Sequence, residues 1–227
     1  MKHRNRFLQI VTFSVFFAFT ACGGGSQQNA KKQSEMPSEH GTMTNQNPEG
    51  NTTDMHQQHN SLANNFEHQD IVILEQAYQP ANETKAELEK VIDAYLQVKD
   101  ALVKDDEQAT DEAVDLMSEK VAAVVPTKLD GEGLEAWKNH QTLYEAKLKE
   151  MLHIKGLEKK RSYFSHLSEI MYCTIKSFGL KQGNLFAIFC PMAFDGKGAY
   201  WISDSKTIQN PYLGSKMPAC GEVKEEL

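Results

Sequence analysis

Four segments between residues 83 and 178 repeat apolar residues at spacings of three, four and seven, and this periodicity constrains the fold more than any other feature of the chain. Residues at these spacings lie on one face of a helix. The second segment stops before Pro126, and the fourth runs from about Leu157 to Phe178, where Gly179 closes it. Because the connections are short, consecutive helices should pack side by side. We therefore predict a mainly α fold, an antiparallel bundle of about four helices.

Two short apolar runs follow the helical segments and differ from them in length and composition. Leu185–Phe189 and Ala199–Ile202 have the composition of strands, and the residues between them are rich in turn formers. This pattern predicts a small C-terminal β-hairpin that packs against the bundle. The predicted helices and hairpin together form one domain over residues 83–227.

The first residues of the chain have the pattern of an export signal. Three basic residues precede an apolar run, Phe7–Phe19, that is too short to span a bilayer. The run ends in Thr20-Ala21-Cys22, and small residues before a cysteine are typical of a bacterial lipoprotein. We expect a signal peptide at residues 1–21, a lipid on Cys22 and attachment to the periplasmic side of the outer membrane in the cell envelope. The alternative is an ordinary signal peptide with a coincidental cysteine.

Residues 22–75 are predicted to form a disordered, lipidated tether, because residues 23–70 contain almost no aliphatic side chains to bury. Within it, Met55, His56 and His59 are potential metal donors. Thioethers suit Cu(I), whereas imidazoles suit Cu(II) or Zn(II). The alternative is a polar spacer that happens to contain histidines.

The charge and the motif content exclude several classes of function. The chain has a net charge of −7, and residues 1–21 include three basic residues and no acidic one, so the mature chain is more negative still. Such a charge argues against a nucleic acid as partner. The sequence has no hydrolase, zinc-protease, phosphate-loop or dinucleotide motif and no Cys-x-x-Cys, so we expect no enzyme.

Once Cys22 carries lipid, three cysteines remain, an odd number for an oxidising compartment. Two of them stand in short pairs with methionine, Cys190-x-Met192 and Met217-x-x-Cys220. Thiolate and thioether sulfurs bind soft cations, so these four residues are candidate ligands of a Cu(I) site. The alternative is a disulfide between Cys190 and Cys220, in which case both methionines serve only in packing.

Two weaker metal candidates lie on the fourth predicted helix. His166 and Cys173 are seven residues apart, so they share one helix face and are placed to meet a ligand from the terminal segment. A single histidine or cysteine on a helix is more often a packing or surface residue. This alternative stays open for both.

The fourth helix and the terminal segment also carry a set of short motifs. They are Arg161, Phe164, Leu167, Ser168, Met171 and Tyr172, then Cys190–Ala193, Gly198–Ser203, Asn210–Gly214, Met217 and Cys220–Val223. This set resembles DUF3347, a family of domains of unknown function found alone in envelope proteins and on periplasmic adaptors of copper/silver-type efflux pumps. The resemblance covers about residues 83–225. Where relatives often place a histidine before the arginine, this chain has Lys159 and Lys160.

The resemblance implies a lipid-anchored envelope protein that binds a soft heavy metal, with copper as Cu(I) the expected ion, for storage, resistance or transfer. The implied partners are the membrane, through the lipid, and a metal-efflux or other envelope protein. The alternative is an interaction or structural module with no role in metal binding, stapled by a Cys190–Cys220 disulfide. In that case Tyr200, Trp201 and Tyr212 would present an aromatic binding surface.

Overall fold

The structure is a computed structural model that describes residues 62–227. The predicted signal peptide, the predicted lipidation site Cys22 and the predicted tether donors Met55, His56 and His59 lie outside these residues. Within residues 62–227, no helix is both long enough and apolar enough to cross a membrane.

The predicted helical bundle is confirmed. Its helices are α1 (Asn82–Val103), α2 (Glu107–Ala123), α3 (Gly131–His153) and α4 (Leu157–Phe178). Each helix packs against the next one in the chain, and α1 also contacts α4. Asp106 caps α2 by accepting a hydrogen bond from the Ala109 amide. Gly179 ends α4 in the left-handed conformation, and this helix end was predicted from the sequence.

The predicted hairpin is also confirmed, and a third strand extends it. Strands β1 (Phe186–Cys190), β2 (Ala199–Ser203) and β3 (Glu222–Glu226) form an antiparallel sheet in the order β2-β1-β3. β3 was not predicted, because its sequence, EVKEE, has a single apolar residue and its alternating side chains are exposed or half-buried. The sheet packs on α4 through β2, and the amide of Ile202 in β2 donates to the Tyr95 hydroxyl of α1.

Two buried cations tie the start of α4 to its neighbours. The Lys160 ammonium is fully buried and donates to Asp111 at 2.6 Å and to the carbonyls of Met151 and Ile154, both at 2.9 Å. Through these bonds Lys160 joins α4 to α2 and to the end of α3.

Its neighbour Arg161 joins α4 to α1 and to the C-terminal loop. The guanidinium pairs with Asp105 and donates to the carbonyls of Leu102 and Pro211. Asp105 also accepts from the Ser215 amide, so one carboxylate connects the end of α1, α4 and the loop that leads to β3.

Residues 62–80, which we call the N-terminal strap, pack on α3 and α4. The predicted tether boundary at residue 75 is therefore too late. Phe66 is only 5% exposed and its ring contacts the rings of Tyr172 and Tyr200. The polar composition misled the prediction, because the strap depends on one buried aromatic ring and on main-chain hydrogen bonds to side chains that are distant in sequence. The Val72 amide donates to Asn139, and the Leu74 amide donates to Ser177.

The buried ammonium of Lys160 gives a test of this architecture. We expect Lys160→Ala to lower the free energy of unfolding by about 3 kcal/mol, because the change leaves Asp111 and two carbonyls without their donor. Lys159→Ala, one residue away and exposed, should leave the free energy almost unchanged. Urea unfolding of the two variants measures the difference, and equal midpoints would contradict the structural role of Lys160.

Candidate thiol and thioether site

The structure brings Cys190 and Cys220 together. Their sulfur atoms lie 2.9 Å apart, and no disulfide joins cysteines within the described residues. Cys190 is the buried last residue of β1, and Cys220 is half-buried just before β3. The pairing of β3 with β1 sets Phe189 opposite Glu222, so the residues that precede β3 lie beside the end of β1. This sulfur contact is compatible with both of the predicted alternatives, a soft-metal site and a disulfide.

Asn210 holds the loop that carries Cys220. Its side chain is fully buried and donates to the Cys220 carbonyl at 2.6 Å. The same side chain accepts from the amides of Tyr212 and Leu213, and the Asn210 amide donates to the Pro218 carbonyl. Asn210 belongs to one of the family motifs, but its role was not predicted. The sequence signal for it is an asparagine followed by proline in a turn-rich stretch, because an asparagine side chain in a turn often bonds to the main chain of its own loop.

Cys190 influences the protonation of Cys220. The pKa of Cys220 is raised, first by its hydrogen bond with Cys190, then by burial and by the charge of Cys190. The backbone amide of Met192 donates toward the Cys220 sulfur and works in the opposite direction. A raised pKa favours the protonated thiol at neutral pH. A metal ion that binds here must therefore displace protons, so binding should strengthen as pH rises.

Both methionines of the predicted site lie at the surface. Met192 is 55% exposed and Met217 is 44% exposed, and they are two of only four exposed large apolar side chains in residues 62–227. Neither side chain therefore belongs to the buried core. An exposed methionine forgoes the free energy that burial of its apolar side chain would contribute to stability. Met192 lies two residues after Cys190, and Met217 lies three residues before Cys220.

The weaker candidates on α4 do not join this pair. Cys173 is buried, and burial, followed by the charge of Glu169, raises its pKa to about 12. His166 is met by His68 of the strap rather than by the terminal segment, with ring centroids 3.9 Å apart. Burial lowers the pKa of His166 to about 4, with a smaller contribution from His68. Among residues 62–227, no group of three or more His, Cys, Asp or Glu side chains is arranged around a metal position.

The predicted aromatic surface of the interaction alternative is wrong. Trp201 is fully buried and Tyr212 is only 5% exposed. Tyr200 is half-buried and stands against the rings of Phe66 and Phe189. These side chains fill the space between sheet, strap and α4, because strand β2 lies on the helix rather than at the surface.

A comparison with protein families gives a match within the helical part of the chain. Residues 91–183 match the model of the family described as "Protein of unknown function (DUF3347)". Over these residues the chain is similar to DUF3347 domains. This confirms the family predicted from the sequence motifs. The DUF3347 match takes in most of α1, all of α2 to α4, and ends before β1, so the Cys190–Cys220 pair lies beyond the matched residues. No curated protein and no solved structure matches the chain.

The contact between the two sulfurs predicts selective chemistry. Mild oxidation of the folded protein should link Cys190 to Cys220 and leave Cys173 unlinked, and peptide mass spectrometry without reduction measures the linkage. Iodoacetamide at pH 8 should modify reduced Cys220 well before Cys173, because a thiol with a pKa of about 12 is almost entirely protonated at that pH. A linkage that includes Cys173 in the folded protein would contradict this arrangement.

Proposed function

We propose that this protein captures a soft metal ion, with Cu(I) as its cargo, between Cys190 and Cys220. The observation that supports this most is the 2.9 Å contact between two thiols contributed by β1 and by the loop before β3. Soft thiolate ligands select Cu(I) over hard cations such as Mg²⁺ or Ca²⁺. The protein acts in this account as a carrier or store rather than as an enzyme.

The pair needs only a small adjustment to hold an ion. With a metal–sulfur distance of about 2.3 Å, as for zinc, two sulfurs on one ion lie about 3.8 Å apart in tetrahedral geometry and about 4.6 Å apart in linear geometry. The sulfurs must therefore separate by about 1 to 2 Å. Cys190 is fixed in the sheet, whereas Cys220 is half-buried in a loop, so Cys220 is the residue expected to move.

The exposed methionines supply further soft donors. Met192 follows Cys190 by two residues in the turn after β1, and Met217 ends the short helical turn before Cys220. Two thiolates and one or two thioethers form a complete soft ligand set for Cu(I). Surface thioethers also provide a first contact for an ion that arrives from solvent and then passes to the thiols.

The remaining parts of the proposal concern the chain before residue 62. A lipid on Cys22 would hold the domain at the periplasmic side of the outer membrane, near a metal-efflux or other envelope protein as partner. Met55, His56 and His59 would act as weaker donors that keep copper close to the folded site. The negative charge of the chain favours cations and disfavours nucleic acid.

The sulfur contact also supports a second candidate function, a domain stapled by a Cys190–Cys220 disulfide. The two cysteines are 30 residues apart, so a bond would stabilise the terminal segment by about 3 kcal/mol in the loop-entropy account. This candidate function does not explain why the side chains of Met192 and Met217 are exposed. The two states are also compatible in one protein, since reduction of the staple would generate the metal-binding pair.

We expect the reduced mature protein to bind Cu(I) mainly through the terminal sulfurs. Competition with a chromophoric Cu(I) chelator measures the affinity. The double variant Cys190→Ser with Cys220→Ser should lose about a hundredfold or more, about 2.7 kcal/mol of binding free energy. Met192→Leu with Met217→Leu should lose less, and neither exposed methionine is needed for the core. Affinity should fall as pH drops, because the thiols regain their protons.

Two controls make this titration decisive. Cys173→Ala removes a thiol of the core and should leave Cu(I) affinity unchanged. Deletion of residues 23–61 tests the tether donors and should cost little. If that deletion removes most of the affinity while the double serine variant keeps it, the folded domain is not the metal site. If no form binds Cu(I) better than an unrelated lipoprotein, the metal proposal fails.

The membrane anchor has its own test. Cells grown with a clickable fatty acid should label the protein, and Cys22→Ala should abolish the label and release the protein from the membrane fraction. The Cys190→Ser variant is the control. It should keep the label, because it retains Cys22 and loses only a thiol of the folded domain. Labelling that survives Cys22→Ala would overturn the anchor.

A further inference from the structure

A pair of histidines outside the thiol site joins the N-terminal strap to α4. His68 belongs to the strap and His166 to α4, and their ring centroids lie 3.9 Å apart with the ring planes tilted by 59°. The residues are distant in the sequence, so only the docking of the strap brings them together. Neither the family motifs nor the thiol site accounts for this pair.

Glu169 fixes the orientation of His68. Its buried carboxylate accepts from the amides of Glu67 and His68, at 3.0 and 3.3 Å, and contacts the His68 Nδ1 at 2.7 Å. An ionised carboxylate only accepts hydrogen bonds, so Nδ1 must carry the hydrogen. In the neutral ring the other nitrogen, Nε2, then keeps its lone pair. A carboxylate behind a histidine is the arrangement that commonly orients imidazole ligands of metals.

His166 supplies the second nitrogen ligand of the pair, its Nδ1 atom. Its Nδ1 is buried and has no hydrogen-bond partner. A buried polar atom without a partner is destabilising, so a ligand that satisfied it would be favoured. The charged groups that act on the ring are His68 and Lys147, which disfavour its protonated form, and Glu67 and Glu150, which favour it.

We propose that His68 and His166 together bind one borderline divalent cation, Zn²⁺ or Cu²⁺, and thereby lock the strap onto α4. At metal–nitrogen distances of about 2.0–2.1 Å, two imidazole rings on one tetrahedral ion have their centroids about 5 Å apart, so the rings, which lie 3.9 Å apart here, must separate by about 1 Å. Imidazole suits these ions, whereas the thiol pair suits Cu(I). Glu169 supports His68 from behind, and water completes the coordination.

This site does not depend on the proposed Cu(I) function. One ligand comes from the strap and one from α4, so the cation acts as a removable cross-link. Binding should slow exchange of the Glu67 and His68 amide hydrogens, which hydrogen-bond to Glu169. Cation binding would thus favour the docked position of the strap, the segment that follows the predicted membrane tether.

Zinc titration by calorimetry tests the proposal in the mature chain from which other donors have been removed. The background variant carries Cys190→Ser, Cys220→Ser and Gln at His40, His56 and His59. We expect it to bind one Zn²⁺, and we expect His68→Gln and His166→Gln each to weaken binding by about tenfold or more. His153→Gln, at an exposed position at the end of α3, is the matched control and should bind as the background does.

Hydrogen exchange separates a lost ligand from a lost fold. In the background variant, Zn²⁺ should slow exchange at residues 66–69, and His166→Gln should remove that effect while its circular dichroism stays that of the folded domain. The proposal is overturned if the background variant binds no Zn²⁺, if only one of the two substitutions weakens binding, or if His153→Gln weakens it equally. These outcomes leave the Cu(I) proposal untouched, because the thiols are absent throughout.

Discussion

Helix α4 is the element on which the rest of the structure depends. Most helices of a small bundle bury only one face. Helix α4 is buried on more than one face, because α3, the sheet and the N-terminal strap all pack on it. Its residues from Leu167 to Ile175 are all buried. Polar contacts extend from the same helix in several directions. Lys160 and Arg161 fix its start, Glu169 receives the strap, and Tyr172 donates to Glu225 of β3.

The position of the thiol pair follows from this arrangement. β3 is held on one side by its pairing with β1 and on the other by the bond from Tyr172 to Glu225, so Cys220 arrives beside Cys190 through two independent constraints. Asn210 adds a third by binding the Cys220 carbonyl. The main chain that carries the two cysteines is thus positioned by the packed domain, while the side chains of Met192 and Met217 are exposed. Two positioned thiols that need only a small shift of Cys220, together with exposed thioethers nearby in the sequence, suit the capture of an ion.

The sequence was sufficient for the features that depend on local periodicity and less so for those that depend on distant partners. The four helices, the end of α4 at Gly179 and the β1–β2 hairpin could be predicted, because apolar spacing and turn residues determine them locally. β3 could not, since the main chain of a charged segment pairs with β1. The strap was missed for the same reason, because Phe66 and His68 are stabilised only by residues of α4. The cysteine pair was predicted as a possibility, but the exposure of Met192 and Met217 required the structure.

The central claim is that Cys190 and Cys220 form a soft-metal site, and X-ray absorption at the copper edge tests it most directly. The reduced mature protein loaded with one equivalent of Cu(I) should show a first coordination shell of sulfur alone. The same measurement on the Cys190→Ser, Cys220→Ser double variant should show fewer sulfur neighbours, with nitrogen or oxygen in the place of the two thiolates. A nitrogen or oxygen shell in the unsubstituted protein, or an unchanged sulfur shell in the double variant, would contradict the account.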